Sequence, residues 1–300
     1  MAQVSGPEAP GAEVSCVARR RNILGEGPCW DAARGRLYWL DIHGRLLEWL
    51  SPSDGRIGLW TLDRRASALA PRRDGTLLLA TEHGLSVFDP DTGRLDPRQH
   101  PEPHLPANRS NDGHTDLQGR FWIGTMDDAE ARACGSVYRV DADWTITRMI
   151  EGLAIPNTIT VSPDGRTLYV AESKAGEIWA YDLDPDSGAL GARRLFASTA
   201  GQGCSPDGSA VDVEGCLWNA QWGGWRLVRY RPDGTIDRIV PMPVEQPTSC
   251  CFGGRDLDTL YITSARVGLS DEALAAQPLA GSLFAFSPGV RGLPQALFAG

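Results

Sequence analysis

Short apolar strands, each led by a turn carrying glycine or aspartate, recur along this chain at a regular interval. Six segments share the form: DAARGRLYWLD (31–41), PRRDGTLLLAT (71–81), TDLQGRFWIGT (115–125), SPDGRTLYVAES (162–173), VDVEGCLWNAQ (211–221) and GRDLDTLYITS (254–264). Their first apolar strand residues, Leu37, Leu77, Phe121, Leu168, Leu217 and Leu260, stand 40, 44, 47, 49 and 43 residues apart. That is blade spacing, about 40–50 residues. A second strand with its own turn follows, as in GLSVFDPDTG (84–93), GSVYRVDAD (135–143), GEIWAYDLDPDSG (176–188), WRLVRYRPDG (225–234) and GSLFAFSPG (281–289). Amphipathic helical periodicity is missing between them, and SDEALAAQ (270–277) reads as one short helix decorating a loop.

The pattern predicts an all-β fold: a six-bladed β-propeller of four-stranded antiparallel blades. It would occupy 14–300 as a single domain, with 1–13 as a disordered tail. EVSCVARRRNIL at one end and QALFAG at the other are expected to meet in one blade and close the ring. A β-sandwich or a two-domain β protein requires no six in-phase repeats and is set aside.

In a propeller the innermost strand of each blade precedes the aligned one, so residues ten or eleven before each alignment point should ring one mouth of the channel. The count selects Glu26, Ala66 with Ser67, Asn111, Asn157, Asp207 and Ser249. Each by itself reads as a turn former beside Gly or Pro. As a set they bring carboxylates and amide carbonyls to one axis, a donor set suited to a hard divalent cation: Ca²⁺, Mg²⁺ or Mn²⁺, with Zn²⁺ or Fe²⁺ as alternatives. RSNDGH (109–114) carries one of these positions. Asp112-Gly113 would shape a tight turn there, while Arg109 and Asn111 take the ring phase.

Composition narrows the partners. A net charge of -9, lysine nearly absent and no basic stripe argue against nucleic acid or an anionic membrane. No apolar run approaches the roughly 18 residues of a membrane helix. MAQVSGPEAPGAE has neither a basic nor an apolar signal region, so a cytoplasmic location is expected, and seven cysteines without a CxxC pair are expected to stay reduced. The five histidines form no HExxH motif, and the one i, i+4 pair, His100 and His104, is interrupted by Pro101 and Pro103, which disfavours a zinc site built on a helix. No G-x-S-x-G elbow is present. Cys250 and Cys251 are expected to pack between blades, as are Trp39, Trp122, Trp179 and Trp218. Trp222 and Trp225, around a Gly pair, suit a lid or a substrate wall.

LGEGPCWD, NDGHTDLQGRFWIGTMD, PNTITVSPDGRTLYVAES, SPDGSAVDVEGCLW, PTSCCFGGRDLDTLYITSAR and the final LFAG, in this order from about residue 14 to 300, resemble the regucalcin/gluconolactonase (senescence marker protein) family. The resemblance implies metal-dependent hydrolysis of sugar lactones. It implies a metal, Ca²⁺ foremost, held by Glu26, Asn157 and Asp207, three positions the phase count also selects. Arg109 and Asn111 match the family's substrate-contacting R-x-N-D-G pair. Two departures concern the substrate. His114 stands where many relatives have Lys, and Ala129, with Asp127 and Asp128 close by, stands where regucalcins carry a substrate-binding Glu. The expected reaction is opening of an aldonolactone, glucono-, xylono- or arabinono-type, with Asp207 as general base. The expected state is a monomer or weak homodimer. A Ca²⁺-binding propeller without turnover and an aryl-ester or organophosphate hydrolase are the alternatives.

Overall fold

The structure, a computed structural model, describes residues 13–300. The tail expected over 1–13 lies, apart from Glu13, outside the described residues. Six four-stranded antiparallel sheets follow one another in chain order as the six blades of a propeller. Blade one runs outward through Gly25–Asp31, Arg36–Asp41, Leu46–Ser51 and Arg56–Thr61. The innermost strands of blades two to six are Ala66–Pro71, Asn108–Thr115, Pro156–Val161, Ser205–Val211 and Pro247–Gly253. All six alignment residues, Leu37, Leu77, Phe121, Leu168, Leu217 and Leu260, are completely buried. The repeat in the sequence is therefore the repeat of the core.

The same chemistry rebuilds the blade turn. In blade three Asp116 accepts backbone N–H bonds from Gln118 and Arg120 and, through its other oxygen, the indole N–H of Trp122 at 2.9 Å. In blade five Asp212 does the same for Glu214, Cys216 and Trp218, the last at 2.9 Å. A buried carboxylate thus satisfies both a turn and the polar end of a core tryptophan. The ring of Trp218 meets Phe252 and Phe286 of blade six edge-on, at 6.4 and 5.9 Å. Trp39 is buried too, its indole donating to Asn22 Oδ1 at 3.2 Å, whereas Trp179 is only partly covered, under the Arg193 guanidinium at 4.4 Å.

Blade six shows how the ring closes. Its three inner strands are Pro247–Gly253, Thr259–Ser264 and Leu283–Phe286, and Ser15–Ala18 from the chain start pairs with the last of these as the outermost strand. Of the two ends expected to meet in one blade, EVSCVARRRNIL supplies its strand and QALFAG does not join it. That edge position is already taken by Ser15–Ala18, and the C-terminal segment runs under the ring instead. The Phe298 amide donates to the Pro71 carbonyl and the Ala299 amide to that of Gly119, both at 2.9 Å. Phe298 is buried against Phe121 and Trp144. Leu293–Ala296 line, together with all six inner strands, a cavity of about 70 Å³ at the far end of the channel.

The expected short helix is present as Asp271–Ala276, N-capped by Ser270. Among the described residues no helix is long and apolar enough to cross a membrane.

Candidate metal and substrate site

Every innermost strand is bulged at one level. Its partner strand advances by too few residues between Glu26 and Cys29, Ala66 and Ala68, Ser110 and Gly113, Asn157 and Thr160, Pro206 and Ser209, and Pro247 and Cys250. A bulge sets extra residues against the neighbour and re-aims their side chains, which in a propeller turns them toward the axis. The phase read from the sequence is this level. RSNDGH is accordingly not a tight turn: Asn108–Thr115 is one continuous strand whose bulge holds Asn111 and Asp112 opposite Gly124. None of Asn111, Asp112 and Gly113 takes left-handed backbone here; Gly113 is needed for space, since a side-chain carbon there would stand 2.8 Å from the Trp122 carbonyl oxygen.

Crowding at this level has a local cost. Thr158, next to Asn157, sits in left-handed backbone at φ 55°, which a β-branched residue adopts only under constraint. Its hydroxyl donates to the Asp207 carbonyl and so ties blade four to blade five. A side-chain carbon at Gly208 would run into the Ser249 hydroxyl, so the residue after Asp207 has to be glycine for blades five and six to close up.

Glu26, Arg109, Asn111, Asn157 and Asp207 all line one cavity of about 300 Å³ at the mouth of the channel. Met126, Leu24, Ile155, Val267 and Trp222 give it an apolar wall, and His43, Glu130, Ser173, Lys174 and Ser205 complete the rim. Trp222 therefore is a wall; Trp225 lies outside, exposed, in a turn. The remaining ring positions are small. Ser67 donates to Ser110 at 2.9 Å, and Ser249 lines the opposite cavity.

A hydrogen-bonded chain fixes the amides. Asn111 donates from Nδ2 to the Pro156 carbonyl at 3.1 Å and to Asn157 Oδ1 at 3.0 Å, and its own Oδ1 accepts from Arg109 Nη1 at 2.9 Å. Asn157 Nδ2 donates to Ser173 Oγ at 2.9 Å, and that hydroxyl donates to the Pro206 carbonyl at 2.6 Å. The orientation of Asn157 follows from its partners, with Oδ1 directed to the side of Asn111. Both N–H donors of Asn111 are committed, so toward a ligand it can only accept.

The carboxylates are a different matter. Glu26 accepts one long bond from the Gly27 amide, 3.3 Å, and Asp112 accepts from the amides of Gly113 and Ile159 at 2.9 and 2.8 Å. No ion pair to Glu26, Asp112 or Asp207 forms among the described residues. Burial, then the charge of Asp112, pushes the Glu26 carboxyl up to about 8. Burial, then Glu26 and Asp112, holds Asp207 well above the usual carboxylate range. Asp112 rises to about 6, chiefly through burial. Neighbouring carboxylates, Asp207 buried and Glu26 and Asp112 half-buried, are costly without a cation; a hard divalent ion meeting the oxygens of Glu26 and Asp207 and the Asn157 carbonyl would lower that cost, while Asp112 lines the far cavity. The donor set fits such an ion.

The other candidates separate cleanly. His114 faces the far cavity, where burial holds its imidazole neutral with a pKa down to about 4. Asp127 pairs with Arg132 at 2.6 Å, and Asp128 with Arg109 at 3.0 Å. Cys250 and Cys251 belong to two inter-blade cores. Asp212, Glu214 and Cys216 also approach one another closely, but the Arg229 guanidinium fills that place, 2.8 Å from Asp212 and 2.6 Å from Glu214.

Phase counting misses Asp112, one residue past the ring, and the rim residues Ser173, Glu130 and Lys174, which lie in the connections after the second strands of blades three and four. Lys174 alone carried a signal, as the only lysine in the chain.

Residues 24–266 match the family model described as "SMP-30/Gluconolactonase/LRE-like region". The chain is 40% identical over 296 residues to an L-arabinolactonase of Azospirillum brasilense, covering 97% of both. It is 37% identical to a 6-deoxy-6-sulfogluconolactonase of Pseudomonas putida, over 96% of this chain and 99% of that one. A crystal structure of a calcium-binding protein, regucalcin, from Agrobacterium tumefaciens superposes with a TM-score of 0.91 at 36% identity, covering 94% of this chain and 96% of the other. With its blades, its bulged ring and these relatives in agreement, the chain belongs to the SMP-30/gluconolactonase/LRE-like family.

Proposed function

We propose that this protein is a divalent-metal-dependent lactonase that opens an aldonolactone to the aldonic acid. The observation that carries the reading is the coincidence, in one cavity, of uncompensated carboxylates Glu26 and Asp207 with the guanidinium of Arg109 and an apolar wall. A site for an ion alone has no need of the last two. The names of the relatives from Azospirillum brasilense and Pseudomonas putida support the same reaction class.

Glu26, Asn157 and Asp207 would hold the ion, which when bound supplies Lewis acidity toward the lactone carbonyl oxygen. Asp207 accepts at a carboxylate oxygen a proton from the water that adds to the carbonyl carbon, and gives it to the ring oxygen as the ring C–O bond breaks. Arg109 donates to hydroxyl oxygens of the sugar, and Asn111 accepts at Oδ1, so the ester carbon is held for attack. Trp222 and its apolar neighbours lie against the C–H face of the ring and exclude water from it.

All seven cysteines are free, which supports reduced thiols and cytoplasmic residence; the oligomeric state we propose is a monomer or weak homodimer. The test is acid release, above the spontaneous rate, from L-arabinono-γ-, D-xylono-γ- and D-glucono-δ-lactone after metal-free protein is reloaded with Ca²⁺, Mg²⁺, Mn²⁺, Zn²⁺ or Fe²⁺. Acceleration with one metal and one lactone supports the proposal. Ion binding without turnover on any lactone favours the second reading, a calcium-binding propeller, which rests on the likeness to the Agrobacterium tumefaciens structure. Turnover confined to aryl esters or phosphotriesters would sink the sugar-lactone assignment.

A further inference from the structure

Arg109 enters the cavity with most of its hydrogen-bonding capacity already spent. A guanidinium has five N–H groups. Nε donates to Asp128 Oδ1 at 3.0 Å, and Nη1 donates to the Ser110 carbonyl and to Asn111 Oδ1, both at 2.9 Å. Among the described residues, only Nη2 has no protein acceptor. Arg109 is itself 7% exposed, so this one amino group is what it offers to a bound molecule.

Asp128 is held from outside. Arg65, which precedes the innermost strand of blade two, grips it through both carboxylate oxygens, Nη1 to Oδ1 and Nη2 to Oδ2, each at 2.9 Å. The Arg65 Nε donates in turn to Glu82 Oε2 at 2.6 Å, and the Arg65 amide to Glu82 Oε1 at 2.9 Å. Asp128 does not line the site cavity. It faces a groove of about 280 Å³ behind it, with Arg65 and Glu82 on the same wall.

We propose that Asp128, locked by the paired grip of Arg65, is a positioning residue that aims Arg109 so that only its Nη2 amino group meets the lactone, and thereby sets substrate affinity from outside the cavity. The inference rests on Arg109 binding the lactone. A bidentate guanidinium–carboxylate pair fixes a plane as well as a distance, and a second guanidinium on the same carboxylate inherits that plane. Removing the carboxylate leaves Arg109 tethered only at Nη1 and free to turn about that point. The two N–H groups of Nη2 suit a pair of oxygens on adjacent ring carbons, so loss of aim should weaken binding of the sugar and leave the metal ring largely as it was.

The experiment compares Asp128→Asn, Arg65→Gln and Arg109→Met in the metal-loaded enzyme, with L-arabinono-γ-lactone and D-glucono-δ-lactone as probes. KM, kcat, metal affinity and melting temperature are read for each. The expected result for Asp128→Asn and Arg65→Gln is a KM raised roughly tenfold, with kcat within about threefold and metal affinity unchanged. Adding Asp128→Asn to Arg109→Met should raise KM no further, because the two act on one contact. Arg65→Gln reads the same aim should Asp128→Asn fail to fold. If Arg109→Met raises KM while both outer variants leave it within twofold, the positioning role is overturned and the substrate role of Arg109 stands. If Arg109→Met itself leaves KM unchanged, the assignment of Arg109 as a substrate donor falls, and this inference with it. A fall in kcat or metal affinity equal to the change in KM would also overturn it, since that marks collapse of the site.

Discussion

Asn111 and Asn157 face each other across the junction of blades three and four, the Nδ2 of the first donating to the Oδ1 of the second at 3.0 Å. One lone pair of that oxygen is occupied by a neighbour and the other is left for an ion. Its direction is held by Ser173, which accepts from Asn157 Nδ2 at 2.9 Å. Ser173→Ala should therefore loosen Asn157, the proposed metal ligand, without removing it. The expected outcome is a loss of about tenfold in divalent-ion affinity, in the range seen when partners of metal ligands are removed. Titration calorimetry on metal-free protein checks it, and an unchanged affinity would contradict the role given to Asn157.

Asp207→Ala should abolish lactone opening, by roughly 10²-fold or more, if Asp207 is the proton acceptor and ion ligand proposed above. The ring should stay intact, since blade five is tied to blade four by the Asp207 carbonyl and not by its side chain. Near-normal turnover in this variant, with circular dichroism unchanged, would remove Asp207 from the mechanism.

The pH dependence of stability follows from Glu26. Its carboxyl binds a proton more tightly in the folded chain, with a pKa of about 8 against an ordinary 4.5. The folded state then carries more protons than the unfolded one in this window, so metal-free protein is most stable at the acid end and loses stability as pH rises from about 4.5 to 8. Glu26→Gln should flatten that decline. An ion that binds the deprotonated ring reverses it by mass action, with a larger rise in melting temperature at pH 8 than at pH 6. Melting curves with and without added cation decide, and a metal effect independent of pH would contradict the shift.

Phe298→Ala tests the C-terminal segment. The side chain is buried against Phe121 and Trp144. Its loss should cost about 3–5 kcal/mol, the usual range for a buried phenylalanine, measured by denaturant unfolding. KM should be unchanged, since the residue lies under blades two and three on the face opposite the site.

The architecture was legible because each blade repeats one apolar alignment point, from Leu37 to Leu260, and a repeat of six leaves little choice of fold. The ring was legible for the same reason: Glu26, Asn157 and Asp207 lie at a fixed distance along the chain from those points. What escaped depends on neighbours distant in sequence. Asp128 takes its meaning from Arg65, 63 residues away, and Lys174 reaches the Glu130 carbonyl 44 residues away. The blade that QALFAG was expected to share was closed by Ser15–Ala18 alone, a competition between two chain ends that strand pattern cannot rank. In RSNDGH the residue types for a turn and for a bulge are the same, and only pairing across to Gly124 tells them apart.

Leu293–Ala296 line the cavity at the far end of the channel, on the side opposite the site. Trp222, Glu130 and Lys174 belong to the cavity that holds the ring. A lactone and the hydroxy acid made from it share that one cavity, so the released acid is a competitor of its own precursor until it has left.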